Sequence, residues 1–193
     1  MRNQKTQIMT RILLSFMLFT MTVCGQSTIK EDSENKNQLS SSDWKTLDQT
    51  GYSIQYPSTW ELNQSEQMAT SFVLFSPIES DSDKFKDNVN LLIQDLTGHN
   101  LDIDKYTEIS EGQIKTMVTN SILIESVRVS NDRGEYHKII YTGDQGIFHL
   151  KFEQYYWVIN DKAFVLTFTC EQDKYAEIKE TSGKILNSFV LKK

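Results

Sequence analysis

Side chains with chemistry to offer are few, and their spacing limits what they could do. Three histidines are present: His99, His137 and His149. His137 and His149 fall on segments that flank one turn, so they could approach each other. A zinc ion would need a third protein ligand, and Glu135 or Glu153 is the nearby kind. That arrangement would suit a metal-dependent hydrolase. The plainer reading is two exposed sheet histidines without a metal, with His99 in the loop Gly98-His99-Asn100. Asp81-Ser82-Asp83 and Asp102-Ile103-Asp104 have the opening spacing of a calcium loop. Both lack its glycine at position six and its glutamate at twelve, so they read as an acidic surface loop and a helix cap. Cys170 ends an apolar segment with no basic partner beside it, which predicts a buried, inert thiol. No Gly-x-Ser-x-Gly, Walker loop, dinucleotide loop, His-Glu-x-x-His or Cys-x-x-Cys occurs. The chain is therefore expected to be non-enzymatic, with no cofactor and no resident metal.

The other cysteine, Cys24, carries the clearest signal. Residues 1–24 hold Arg2, Lys5 and Arg11 and no acid. After Arg11 comes an apolar run, residues 12–23, too short for a spanning helix, which needs about 20 residues. A basic start followed by such a run is the pattern of a secretory signal peptide. Cys24 at its end resembles a bacterial lipobox, in which the thiol is diacylated and becomes the first residue of the mature chain. Met21 and Val23 depart from the usual Leu and small residue at those places. The alternative is ordinary cleavage after Gly25, which would discard Cys24 and release a soluble protein. The lipidated form is the expectation: an exported protein, anchored in the cell envelope through Cys24.

The stretch 25–42 has no aromatic and only two large aliphatics, Ile29 and Leu39. It cannot bury enough surface to offset its ordering entropy and reads as a flexible tether. The folded domain is then 43–193. Overall net charge is -6. Removing the three basic residues before Cys24 leaves 17 basic against 26 acidic residues, or -9. Such a chain lacks the basic face that neutralises phosphates, so no nucleic-acid partner is expected. Nor would anionic lipid attract it. Membrane attachment would rest on the Cys24 lipid, and the remaining partner is expected to be a protein.

The elements that must position these groups follow from periodicity. Tyr52-Ser53-Ile54-Gln55-Tyr56 alternates as a half-buried strand does. Phe72-Val73-Leu74-Phe75 is a short apolar strand. Residues 88–96 form another, with Val89, Leu91, Ile93 and Asp95 on one face. Residues 101–120 predict a helix capped by Asp102 or Asp104, with Tyr106, Ile109, Ile114, Met117 and Val118 as its apolar stripe. Strands and turns then alternate. Phe148, Leu150, Phe152 and Tyr156 share one face, with His149, Lys151, Glu153 and Trp157 opposite. Phe164, Leu166, Phe168 and Cys170 point one way. A last helix, 173–188, turns Tyr175, Ile178, Ile185 and Phe189 inward. The class is α+β: an antiparallel meander covered by helices.

The order of these pieces resembles the PsbP-like superfamily. Tyr52-Ser53-Ile54-Gln55-Tyr56-Pro57-Ser58-Thr59-Trp60 is similar to its opening strand and Tyr-Pro-x-x-Trp corner. Asn88-Val89-Asn90-Leu91-Leu92-Ile93 resembles its Asn-Val-Asn-Val strand, and residues 148–189 its C-terminal half. The layout of signal, tether and domain is similar to the bacterial DcrB-like envelope lipoproteins. The resemblance implies an αβα sandwich. Its members include an extrinsic photosystem II subunit, a Ran-binding import factor and chaperones for secreted effectors, so it implies binding rather than catalysis. One candidate partner patch emerges: Tyr155 and Trp157, on the face opposite Phe152. They either lie under a helix or stand exposed as a docking patch. A chaperone for hydrophobic segments is the alternative function, and it would need an exposed concave apolar sheet face.

Overall fold

The structure is a computed structural model and describes residues 43–65, 70–80, 83–131 and 134–192. The signal, Cys24 and the tether lie outside the described residues, as do Asp81 and Ser82.

Seven strands form one antiparallel sheet. In chain order they are β3 (Glu61–Asn63), β4 (Thr70–Phe75), β5 (Asn88–Asp95), β6 (Thr119–Asn131), β7 (Gly134–Gln145), β8 (Phe148–Ile159) and β9 (Lys162–Glu171). Across the sheet the order is β3-β4-β5-β9-β8-β7-β6. Two meanders thus meet at β5 and β9. Helix α1 (Ile103–Met117) makes the crossover from β5 to β6. Helix α2 (Tyr175–Ser188) follows β9 after one 3-10 turn. A second, three-stranded sheet has the order β1-β2-β10, from β1 (Trp44–Asp48), β2 (Tyr52–Pro57) and β10 (Val190–Leu191).

The period of two in each strand sorts side chains to two cores, one on each face of the large sheet. On one face Leu166, Phe168 and Cys170 of β9 and Tyr155 and Trp157 of β8 pack with Ile54, Tyr56, Ile185, Leu186 and Phe189, under the small sheet and α2. On the other, Leu150, Phe152 and Tyr156 of β8 and Ala163 and Val165 of β9 pack with Tyr106, Ile114 and Val118, under α1. The layers are αβα, and the expected facing of β8 and β9 is the observed one. The Tyr-Pro-x-x-Trp corner is a closed turn: the Trp60 amide donates to the Pro57 carbonyl at 2.9 Å, and Trp60 is buried.

Two expectations need correction. Helix α1 ends at Met117 rather than at residue 120, because Val118 turns extended and Asn120 takes a left-handed φ of 51°. Met117 is 53% exposed rather than part of the inner stripe. That stripe is completed by Thr107, Ser110 and Gln113, buried polar residues. Ser110 satisfies its hydroxyl by donating to the Tyr106 carbonyl at 2.9 Å. Strands β1 and β2 stand outside the large sheet. They pair with each other, and β10 returns from α2 to pair Val190 with Ser53 and Leu191 with Tyr52.

Candidate docking surface

Among the described residues, strand β6 is the outer strand of the large sheet, paired on one side only, with β7. It is 13 residues long. An edge of that length presents a row of backbone groups that another chain can pair with. From Glu125 to Ser130 it pairs one-for-one with Ile140 to Glu135. Nearer α1 the register shifts twice, between Thr119 and Ile122 and between Leu123 and Glu125. These bulges break the alternation, so three consecutive aliphatics reach solvent: Ile122 at 64%, Leu123 at 46% and Ile124 at 53%. Val127 and, at the end of α1, Met117 are also exposed. The sequence held a signal for this. Three adjacent aliphatics in a strand cannot all face one core, and here neither face takes them.

Charge around this edge is not balanced. The Arg128 guanidinium meets two carboxylates, Asp104 of α1 and Glu135 of β7, the latter at 2.7 Å. Lys138 likewise meets two, Glu125 at 3.3 Å and Glu153 at 3.8 Å. Glu111 of α1 accepts a hydrogen bond from Ser126 of β6. Four carboxylates, Asp104, Glu111, Glu125 and Glu135, thus stand at the edge against two cations, and Glu153 is buried on β8. The Asp104 and Glu135 side chains remain 85% and 58% exposed. The strand edge is apolar at one end and negative at the other.

Each sequence candidate has a definite place. His137 lies opposite Tyr156, whereas His149 lies opposite Asp144. Seven register positions at about 3.4 Å each put the two histidines roughly 24 Å apart along the ladder. The two-histidine metal site is therefore not formed; their strands flank one turn, but the turn at 146–147 is two residues from His149 and far from His137. His149 Nδ1 stands 2.6 Å from Asp144, and His99 is in an exposed turn. His137 Nε2 is 2.7 Å from the Ser126 hydroxyl, which also touches Glu111. Here the serine, not the imidazole, sits in the middle, so the carboxylate does not orient the base as a hydrolytic triad requires. Burial, then Arg128, hold the His137 pKa below its ordinary value, against the pull of Glu111 and Asp104. Asp102 caps α1 by accepting the Lys105 amide at 2.8 Å. Asp83 accepts the Glu79 and Phe85 amides within its own loop.

Tyr155 and Trp157 do not form a partner patch. They are 6% and 7% exposed, packed against Tyr136, with Trp157 also 5.1 Å from the Phe189 ring. The reading that placed them under a helix is the one observed. The Tyr155 hydroxyl donates to the buried Glu153 at 3.0 Å, and Tyr175 donates to its other oxygen at 3.2 Å. Cys170 is fully buried, and burial pushes its thiol pKa well up.

Two concavities lie elsewhere on the surface of the described residues. A groove of about 1150 Å3 runs between α2 and the β1–β2 hairpin, with Trp44, Gln55, Lys179 and Lys184 among its walls. A smaller pocket of about 130 Å3 gathers Glu79, Asp83, Asp87, Glu171 and Glu177 around Lys174. Burial first, then Asp83, Glu79 and Glu171, raise Asp87 to about 7.

The fold so described is a PsbP-like α+β fold. It is similar to the solution structure of cyanobacterial PsbP from Synechocystis sp. PCC 6803, at 16% identity, TM-score 0.58, over 82% of this chain and 98% of that one. LpqN, involved in cell envelope biogenesis of Mycobacterium tuberculosis, matches at 11% identity and TM-score 0.62, over 78% and 92%. The Ran-binding protein Mog1p of Saccharomyces cerevisiae matches at 7% identity and TM-score 0.51, over 76% and 94%. At such identities the likeness defines the fold. No family model and no curated protein matches the sequence.

Proposed function

We propose that this chain is a lipid-anchored, non-enzymatic protein-binding module of a bacterial cell envelope. The observation that carries the binding reading is the outer edge of β6, a long strand that pairs only with β7 among the described residues and bears Ile122, Leu123 and Ile124 in solvent. What is exposed is an edge and not a concave sheet face. That favours one docked segment over a chaperone that shelters many. Envelope placement draws on the basic-then-apolar N-terminus ending in Cys24 and on the shared fold of LpqN, a protein of cell envelope biogenesis. A diacyl anchor supplies two chains, enough for stable attachment where one is marginal.

Two measurements test the two halves. Cys24→Ser should move the protein from the membrane to the soluble fraction, and unchanged retention sinks the anchor. Crosslinking in intact cells, with the wild type beside an Ile122→Asp/Ile124→Asp variant, tests the surface. A partner crosslinked equally by both would remove β6 from the reading.

A further inference from the structure

We infer that the occupant of the β6 edge is an extended polypeptide segment, apolar over one half and basic over the other, which adds to the sheet as an eighth strand. The inference rests on the binding-module reading and deepens it. The regular stretch from Glu125 to Ser130 offers a ladder edge in steady register with β7, the geometry that strand addition needs. Main-chain hydrogen bonds along it would supply affinity with little demand on sequence. Side chains would supply the choice of partner.

Those side chains are of two kinds. At the α1 end Ile122, Leu123, Ile124 and Met117 are exposed, and aliphatic residues of an incoming strand would remove them from water. At the other end exposed carboxylates outnumber cations. Arg128 shares Asp104 and Glu135, Lys138 meets Glu125, and Glu111 adds a further carboxylate. Lysine or arginine on the docked strand would answer that excess. The same charge argues against a second copy of this chain, because a two-fold antiparallel pair of β6 strands would set the acidic end of each against the apolar end of the other and answer neither. A strand of about seven residues suffices to cover the regular stretch, at about 3.4 Å per residue.

The probe is a fluorescein-labelled peptide about ten residues long. It alternates valine and threonine in its first half and lysine and threonine in its second. Fluorescence anisotropy is followed against the full chain in detergent. Saturable binding is expected, weakened about tenfold or more by N-methylation at alternate residues, by glutamate in place of lysine, and by Ile122→Asp/Ile124→Asp in the protein. Leu123→Glu serves as a second variant, and unchanged thermal unfolding shows that each is folded. No binding to wild type overturns the proposal, as does equal binding of the N-methylated peptide or of the glutamate peptide. A wild-type dimer by sedimentation equilibrium that the double variant turns into monomer also overturns it, since a second copy would then hold the edge. If the peptide fails but the cellular crosslink still depends on Ile122 and Ile124, the binding-module reading survives and only strand addition falls.

Discussion

The Ser188 hydroxyl takes the place of a missing strand residue beside Gln55. Its Oγ accepts the Gln55 amide at 2.8 Å and stands 3.1 Å from the Gln55 carbonyl, with the Ile185 carbonyl at 2.7 Å. Strand β10 pairs with Tyr52 and Ser53 only, so the ladder on that side of β2 would end there. Ser188 carries it one step further and fastens the end of α2 to the small sheet. Ser188→Ala leaves both Gln55 backbone groups without that partner. It should cost about 1–2 kcal/mol in a denaturant melt, with no change in where the protein fractionates.

Gly143 is required by close packing. A Cβ placed there would lie 2.2 Å from Cγ1 of Val118 and 3.3 Å from the Thr119 carbonyl. Val118 is buried and β-branched, so it has little freedom to move aside. Gly143→Ala should destabilise by about 1–3 kcal/mol, and Val118→Ala in the same chain should recover part of the loss. Equal stability of Gly143→Ala and wild type would show that the junction of α1 and β6 is looser than described.

Trp157→Ala should act on stability and not on recognition. The side chain bridges Tyr136 and Phe189 inside the core beneath α2, and deleting such a ring costs about 3–5 kcal/mol. A variant that stays as stable as wild type but loses a partner would restore the surface patch that the burial of Trp157 removes.

Asp87 makes the pocket below α2 sensitive to pH. Its folded-state value is about 7 against an ordinary 3.8, so folding holds a proton that the unfolded chain releases. The contribution to stability is full below the lower value. It is lost as pH rises toward the upper one. The wild type should therefore gain stability relative to Asp87→Asn when acidified from about pH 7.5 to 5, read as the difference between the two denaturation curves at each pH. A difference that does not change with pH would place Asp87 in water.

Much of the fold was legible from the sequence because alternation survives wherever a strand has a core on a side. The split of Leu150 and Phe152 from Tyr155 and Trp157 is visible in the letters, as are the turn at Asn160-Asp161 and the cap at Asp102. Strand β10 is not visible: two residues carry no period, and only β2 gives them a partner. The polar inner face of α1 was hidden for a related reason. Thr107, Ser110 and Gln113 read as solvent-facing until the layer above them is known. Register was the hardest quantity. His137 and His149 sit near one turn in sequence, and only the pairing of His137 with Tyr156 separates them. For the β6 edge the letters carry only half the signal: Ile122, Leu123 and Ile124 stand adjacent, but the sheet order decides that no neighbouring strand covers them among the described residues.

Cys170 lies on β9, with β5 on one side and β8 on the other, at the middle of the large sheet. A thiol in that position is a clock. In a Cys24→Ser chain it is the lone sulfhydryl, since the sequence holds two cysteines. A thiol-reactive dye can reach it once the layer formed by α2 and the small sheet lifts from that face, so the labelling rate counts those openings. In an oxidising compartment the same geometry has a biological side. Before the sheet closes, Cys170 is open to mixed disulfides, and afterwards it is withdrawn from exchange. In such a compartment folding would be a race that ends when α2 and the small sheet close over Cys170.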